Sequence, residues 1–232
     1  MSIGHILSKI FEKIPEWAIK NDIRYFLAFN PLIPNFVSEI SPVKGYEMYR
    51  KLKEGDVVID AGAYPGDYAV LASRRIGKSG KIICFEPDPY NREILEKNLK
   101  KEKNDNYIII PRGLWNKNTV LRLSRSDGLH STLSAEDKGN SDIKVTKLDD
   151  ELEALGIKKV DIIKMDIEGA EIEAINGARE TLKNNNVYVT IASYHIVNGK
   201  TTSHYLENFL KKLGYKVKTD FPKHQTTFGW KD

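Results

Sequence analysis

The sequence predicts an α/β fold, in which helices cover a mostly parallel sheet, on three observations. First, the apolar run Val57–Ala61 leads through a glycine-rich turn into a helical pattern, as expected for a strand buried on both faces. Second, further apolar runs alternate with helical patterns, which implies parallel strands joined by right-handed crossovers. Third, two strand-like segments near the C-terminus, 215–218 and 226–230, are close enough in sequence to form a hairpin.

Length and composition suit one such domain with some elaboration. The 232 residues can bury a core without disulfides, and the single cysteine, Cys84, lies inside an apolar run. Basic residues exceed acidic ones by only four and the charges are interspersed, so no nucleic-acid partner is expected. No apolar run reaches the roughly 18 residues of a membrane span, and Lys9, Glu12 and Lys13 interrupt any signal-peptide core, which makes the cytoplasm the expected location.

The first 54 residues are predicted to form a helical appendage to a ligand-binding domain over 55–232. Apolar residues recur at helical spacing over 3–18, and the polar face of this helix mixes charges of both signs. We expect it to pack against the domain or to form a homodimer rather than to lie on a membrane. Prolines then predict an irregular connector before a short helix over 46–52, and the whole segment is a candidate lid.

The other elements follow from the same patterns. Strands are predicted over 57–61, 81–85, 107–111, 160–166 and 187–192, and helices over 68–76, 91–101 and 203–213, with a further helix ending near residue 182. Short strands at 120–123 and 143–145 flank a polar loop, 124–142, which is either a substrate loop or disordered. His130 in this loop is a weak catalytic candidate that depends on loop closure.

The turn after the first strand predicts a ligand site at the carboxyl edge of the sheet. Asp60, Gly62 and Gly66 form a D-x-G-x-x-x-G pattern, whose glycines let backbone approach a ligand, and Asp67 is predicted to cap the next helix. The pattern lacks the middle glycine of the G-x-G-x-x-G dinucleotide fingerprint, because Pro65 follows in its place. NAD is therefore disfavoured as the ligand.

Glu86 supplies the second part of this predicted site. It ends the second apolar strand, twenty residues after Gly66, where an acid can accept hydrogen bonds from ribose hydroxyls. An adenosine ligand without a pyrophosphate fits both the turn and the acid. Together they resemble the binding signature of class I S-adenosylmethionine-dependent methyltransferases.

A cluster of three carboxylates occupies the point where the fourth strand leaves the sheet. Asp166, Glu168 and Glu171 are expected beside the glycine turn, because the carboxyl ends of adjacent parallel strands converge. Like charges this close need a cation, a proton or solvent, so either S-adenosylmethionine or a divalent metal could supply positive charge. The alternative is that Glu168 and Glu171 only occupy the first turn of a helix, where acids favour the dipole.

The block 166–171, DIEGAE, preceded by 146–150 and by the glycine turn, resembles the FkbM family of methyltransferases. The resemblance covers roughly residue 55 to the C-terminus. It implies a Rossmann-like class I methyltransferase with a seven-stranded, mostly parallel sheet and a terminal antiparallel hairpin. It also implies methyl transfer from S-adenosylmethionine, generally to a hydroxyl oxygen, here on a small molecule or a sugar.

The same resemblance implies a set of cofactor-binding residues. Asp60, Gly62 and Gly66 would hold the methionine moiety, Glu86 the ribose, and the segment from Gly113 to Trp115 the adenine. The predicted set is completed by four neighbours, which are Tyr64, Asp67, Pro87 and Asp166.

Methyl transfer to a hydroxyl also needs a group that removes the proton. His195, after the fifth strand, has an ordinary pKa of about 6.5, which suits a general base, although a structural or substrate-orienting role is the alternative. Asp166 or Glu168 could take the proton instead, or bind a metal that lowers the pKa of the hydroxyl.

Two other functions remain open at this point. A nicotinamide-dependent oxidoreductase is opposed by the missing glycine and by the lack of a second substrate domain. A non-catalytic domain that binds a ligand, or a partner through the N-terminal helix, is opposed by the intact turn and acidic block.

Overall fold

A computed structural model of the protein describes residues 45–125, 131–134, 141–221 and 224–232. Within these residues the strands are β1 Val57–Ala61, β2 Lys81–Phe85, β3 Tyr107–Ile110, β4 Gly113–Leu114, β5 Thr119–Arg125, β6 Ser131–Ser134, β7 Ser141–Thr146, β8 Ile162–Met165, β9 Tyr188–Ala192, β10 Ile196–Val197, β11 Lys200–Thr201, β12 Lys216–Asp220 and β13 Thr226–Trp230. The helices are α1 Asp67–Ile76, α2 Pro89–Leu99, α3 Leu148–Ala154, α4 Glu171–Asn176, α5 Arg179–Asn184 and α6 Ser203–Lys212.

The central sheet has seven strands in the order β12-β13-β9-β8-β1-β2-β3. β1 pairs in parallel with β2 and β8, and β13 is antiparallel to both of its neighbours, β9 and β12. The predicted mostly parallel sheet with a terminal antiparallel hairpin is therefore confirmed. The order places β1 between β8 and β2, so that the turns after these three parallel strands open at the same edge of the sheet.

Both faces of the inner strands β1, β2, β8 and β9 are buried, which explains why their sequences are mostly apolar. Successive residues of β8 belong to opposite faces: Ile162 packs with Leu71 of α1, whereas Ile163 packs in the core that holds Leu206 and Phe209 of α6. A strand with alternating polarity could not sit in this position, because one of its faces would bury polar side chains.

A second sheet has four strands in the order β4-β7-β5-β6 and takes up part of the predicted loop 124–142, of which residues 126–130 and 135–140 lie outside the described residues. β5 extends to Arg125, β6 lies within the predicted loop, and β7 begins at Ser141. The prediction was wrong here because polar sequences also form strands when each neighbour satisfies their backbone groups, as β5 does with β6 and β7. His130 lies outside the described residues.

The helix after the acidic block is divided into two, α4 and α5, where a single helix was predicted. Gly177 lies between them, and a Cβ there would stand 2.0 Å from the carbonyl oxygen of Trp115. The close approach of the segment after β4 therefore requires glycine at this position. This approach also places the segment after β4 of the second sheet against the link between α4 and α5.

Residues 46–52 do not form the predicted helix. They run irregularly along the domain, with Tyr46 and Leu52 buried in the core on the α1 face of the sheet. The Arg50 guanidinium makes two hydrogen bonds, of 3.0 and 2.9 Å, to the carboxylate of Asp56. These tertiary contacts override the local helical pattern.

Helix α2 begins at Pro89, earlier than predicted, because Asp88 is its N-cap. The Asp88 side chain accepts hydrogen bonds from the backbone N–H groups of Tyr90 and Asn91. An aspartate followed by a proline is the expected start of a helix and could have been recognised in the sequence.

The boundary between residues 54 and 55 stays a prediction, as does the lid. The predicted N-terminal helix, 3–18, and the homodimer through it lie outside the described residues. Among the helices of the described ranges, none is long and apolar enough to cross a membrane.

Candidate active site

A pocket lies where the turns after β1, β2 and β8 meet, with an empty volume of about 670 Å³ that includes space open to solvent. Of the predicted site residues, its lining includes Gly62, Tyr64, Glu86, Pro87, Gly113, Asp166 and Glu168. The lining also includes Leu114, which belongs to the predicted segment 113–115. Four further lining residues were not predicted: Asp88 and Asn91, which contribute polar groups, and Phe85 and Ile167, which contribute apolar surface. The other predicted site residues, Asp60, Gly66, Asp67, Trp115 and His195, do not line this pocket.

The glycine turn is shaped by packing between strands. Gly62 has φ +73°, and a Cβ there would stand 1.9 Å from the carbonyl oxygen of Asp166. Gly66 has φ 109° and is the N-cap of α1, so that Asp67 is the first residue of the helix. The predicted capping by Asp67 is therefore wrong. Gly62 lets the turns after β1 and β8 touch, which holds the two halves of the pocket together.

Lys164 on β8, which was not predicted as a site residue, stabilises this turn. Its ammonium lies 2.9 Å from Oδ1 of Asp60 and donates a 2.7 Å hydrogen bond to the carbonyl oxygen of Gly62. Burial lowers the pKa of Lys164, but the carboxylates of Asp60 and Asp166 outweigh it and keep the pKa above its ordinary value. The sequence did carry a signal for this role, because Lys164 is a charged residue in an otherwise apolar strand. Because Asp60 is fully buried against Lys164, it acts on the site through the turn.

Glu86 is a buried acid at one end of the pocket, with 5% of its surface exposed. Its Oε1 accepts a 3.0 Å hydrogen bond from the backbone N–H of Asp88. Burial raises the pKa of Glu86 to about 7, against the opposing effect of hydrogen bonds from the backbone of Asp88 and Tyr64. Such a carboxylate gains from any further hydrogen-bond donor that a ligand brings.

Asp166 and Glu168 lie at the other side of the pocket, after β8. The Tyr46 hydroxyl donates a 2.9 Å hydrogen bond to Oδ2 of Asp166, and the Tyr194 hydroxyl lies 3.5 Å from Oδ1. Glu168 has a left-handed backbone, with φ 55°. Non-glycine residues adopt this conformation at a cost, and it is found at binding and catalytic sites more often than elsewhere.

His195 lies next to the pocket, between two of the predicted acids. Its Nδ1 is 3.0 Å from Oε1 of Glu171, and its Nε2 is 3.3 Å from Oε2 of Glu168. Burial lowers the pKa of His195, but the neighbouring carboxylates of Glu168 and Glu171 outweigh it and raise the pKa to about 10. In this arrangement the imidazole is protonated at neutral pH, whereas a general base must be neutral.

Glu171 is fully buried and holds this arrangement in place. Its Oε1 accepts hydrogen bonds from the backbone N–H groups of Ile167, at 3.1 Å, and Gly169, at 3.2 Å. Glu171 therefore does more than occupy the first turn of a helix, because its side chain connects the loop after β8 to His195.

Asp166, Glu168 and His195 each offer one donor atom, and these three atoms lie within 4.8 Å of one another. Such a group could hold a metal ion.

A family model for the methyltransferase FkbM domain matches residues 60–217. The chain belongs to the FkbM methyltransferase family. The match runs from the end of β1 to the start of β12, and it includes the glycine turn, Glu86 and the acidic block together. The resemblance predicted from these motifs is confirmed.

Relatives and solved structures agree with membership of the FkbM family. The chain is 24% identical, over 143 residues, to the hexuronic acid methyltransferase AglP of Haloferax volcanii, covering 61% of this chain and 58% of AglP. The crystal structure of an FkbM methyltransferase from Methylobacillus flagellatus matches 90% of this chain and 48% of its own, with a TM-score of 0.58 and 17% identity. A Thermotoga maritima SAM-dependent O-methyltransferase matches 86% of this chain and 72% of its own, with a TM-score of 0.52 and 18% identity.

At these identities the structural matches establish the Rossmann-like methyltransferase fold alone. The chain spans between 57% and 62% of the length of the curated relatives that it matches.

Proposed function

We propose that this FkbM chain binds S-adenosylmethionine in the pocket and transfers its methyl group to a hydroxyl oxygen of a small molecule or a sugar. The observation that carries the proposal is the pairing, across one pocket, of buried Glu86 with the acids Asp166 and Glu168. In a methyltransferase, this arrangement provides the Glu86 carboxylate to bind a ribose, and the carboxylates of Asp166 and Glu168 to lie near the reacting groups.

The chemistry of the lining fits this cofactor. The Glu86 carboxylate can accept hydrogen bonds from the ribose hydroxyls. Burial raises its pKa to about 7, and these hydrogen bonds would stabilise its charged form. Phe85 and Leu114 supply apolar surface to an adenine ring, and Leu114 belongs to the segment 113–115 that was predicted to hold it. Asp166 and Glu168 supply negative charge, which suits a ligand that carries a sulfonium and an ammonium.

When bound, S-adenosylmethionine supplies a methyl group whose transfer forms an O–CH₃ bond, breaks the S–CH₃ bond with its electron pair kept by sulfur, and leaves S-adenosylhomocysteine. Asp166 or Glu168 accepts the proton of the acceptor hydroxyl, since both carboxylates line the pocket. His195 positions Glu168 through their 3.3 Å contact, a role that we prefer to the predicted general base.

The remaining predicted residues act through their neighbours. Asp60 and Lys164 hold the carbonyl of Gly62, while Gly66 starts α1 in the orientation that the turn requires. Trp115 lies outside the pocket, and its carbonyl oxygen packs against Gly177 between α4 and α5. The name of AglP, a hexuronic acid methyltransferase, supports a sugar as the acceptor.

Incubation with S-[methyl-³H]-adenosylmethionine and either glucuronic acid or glucose tests the proposal. We expect the label in an ether that resists mild alkali, and a rate at least about 100-fold lower in Asp166→Asn, because a positioned proton acceptor contributes about that much or more. The matched control is Glu180→Gln, an exposed acid on α5. Label that alkali releases as methanol would indicate a carboxyl acceptor and contradict the hydroxyl proposal. An undiminished rate in Asp166→Asn would rule out Asp166 as the proton acceptor and assign that role to Glu168.

A further inference from the structure

We propose that Asp166, Glu168 and His195 bind one divalent metal ion, of the kind represented by Mn²⁺, at the edge of the pocket. For its catalytic role this inference rests on the proposed methyl transfer, but the binding of the ion does not. The three residues come from the ends of two adjacent parallel strands, β8 and β9, which pair in register. Because the two strands are paired, the side chains that follow them are held at a fixed distance from each other.

The positions of the donor atoms suit a single ion. All three lie within 4.8 Å of one another, and Oε2 of Glu168 is 3.3 Å from Nε2 of His195. Donors that each stand about 2.1 Å from a shared ion are about 3 Å apart in neighbouring coordination positions. The Glu168–His195 pair is therefore close to this separation, and side-chain movements of up to about 2 Å bring all three donors to it.

The contact of the second ring nitrogen of His195 with Glu171, which is not one of the three donors, is a separate observation that also supports a metal site. Metal-binding histidines almost always direct their second ring nitrogen at a carboxylate or carbonyl, which orients the ring. Nδ1 of His195 is 3.0 Å from the fully buried Glu171, whose Oε1 is itself fixed by two backbone N–H groups. Oε2 of Glu171 is also buried, and the described residues offer it no hydrogen-bond partner. The ring is thus held with Nε2 turned to Glu168, and an ion bound at Nε2 displaces the proton that this nitrogen carries in the metal-free protein.

The donor types select the class of ion. Two carboxylates with one imidazole combine ligands that suit Mg²⁺ and Mn²⁺ with one that suits Fe²⁺ and Zn²⁺. Three protein donors leave coordination positions for an exogenous oxygen, and Asp166 and Glu168 both face the pocket. An acceptor hydroxyl that binds there has a lowered pKa and passes its proton to the second oxygen of either carboxylate.

Titration of the full chain with MnCl₂, followed by the electron paramagnetic resonance signal of free Mn²⁺, tests the site. We expect one ion per chain in the wild type and at least tenfold weaker binding in Glu168→Gln, whose side chain is 25% exposed and so does not stabilise the core. His195→Gln should weaken binding similarly. Glu180→Gln, with the same change of charge on an exposed part of α5, should bind as the wild type does.

Absence of bound Mn²⁺ in the wild type, or equal binding by Glu168→Gln and Glu180→Gln, would overturn the metal site. Thermal unfolding of each variant by circular dichroism shows that the proteins compared are folded. Methyl transfer should stop in EDTA and return with Mn²⁺, and transfer that persists in EDTA would also count against the site. Because Mn²⁺ binding needs no cofactor, it can succeed where S-adenosylhomocysteine fails to bind, which separates this inference from the proposed function.

Discussion

Lys164→Met should lower the free energy of unfolding by about 3–5 kcal/mol, the range for removing one partner of a buried ion pair. The substitution leaves the fully buried carboxylate of Asp60 without its cation and removes the hydrogen bond to the carbonyl oxygen of Gly62. Methionine has a similar length, so the loss reflects charge and hydrogen bonding more than a cavity. Urea unfolding followed by circular dichroism at pH 7.5 measures the change.

Lys97→Met is the matched control for this prediction. Lys97 pairs with Glu93 on α2, but their side chains are 68% and 63% exposed, so the substitution should cost less than about 1 kcal/mol. Adding Asp60→Asn to Lys164→Met should recover part of the loss, because the buried charge is then removed. Equal stabilities for Lys164→Met and Lys97→Met would show that the buried pair does not hold the glycine turn.

Glu86→Gln should weaken the binding of S-adenosylhomocysteine by about 10- to 100-fold. Hydrogen bonds to a charged group contribute about 1.5–3 kcal/mol, and each 1.4 kcal/mol is a factor of ten. The neutral amide also replaces one acceptor by a donor, which suits the ribose hydroxyls less well. Glu93→Gln, an exposed acid on α2, is the control that should leave binding unchanged.

The same acid gives the binding a pH dependence. The pKa of Glu86 in the ligand-free protein is about 7, and hydroxyl donors favour the carboxylate, so binding lowers that pKa. Affinity for S-adenosylhomocysteine should therefore rise from pH 6 to pH 8 and then level off, and this rise should be absent in Glu86→Gln. An affinity that falls over this range in the wild type would contradict the assignment of Glu86.

The central sheet and most of the pocket follow from local sequence patterns. Strands buried on both faces are apolar throughout, and acids placed directly after such strands, as Glu86 and Asp166 are, converge at one edge. The two ends of the pocket could therefore be predicted before any contact was known. The family resemblance added the expected chemistry.

The features that were missed depend on contacts between distant parts of the chain. Lys164 gains its role only because β8 lies next to β1, which brings it to Asp60. The break between α4 and α5 depends on Gly177 meeting Trp115, and the β5–β7 sheet depends on cross-strand pairing of polar residues. No local pattern records these contacts.

Calorimetric titration of the wild-type chain with S-adenosylhomocysteine, with NAD⁺ as the control ligand, tests the central claim most directly. We expect one S-adenosylhomocysteine site per chain and no heat of binding from NAD⁺, because the turn between Gly62 and Gly66 lacks the middle glycine that a pyrophosphate requires. Binding of NAD⁺ in preference, or no binding of S-adenosylhomocysteine, would contradict the assignment of this pocket to the methyl donor.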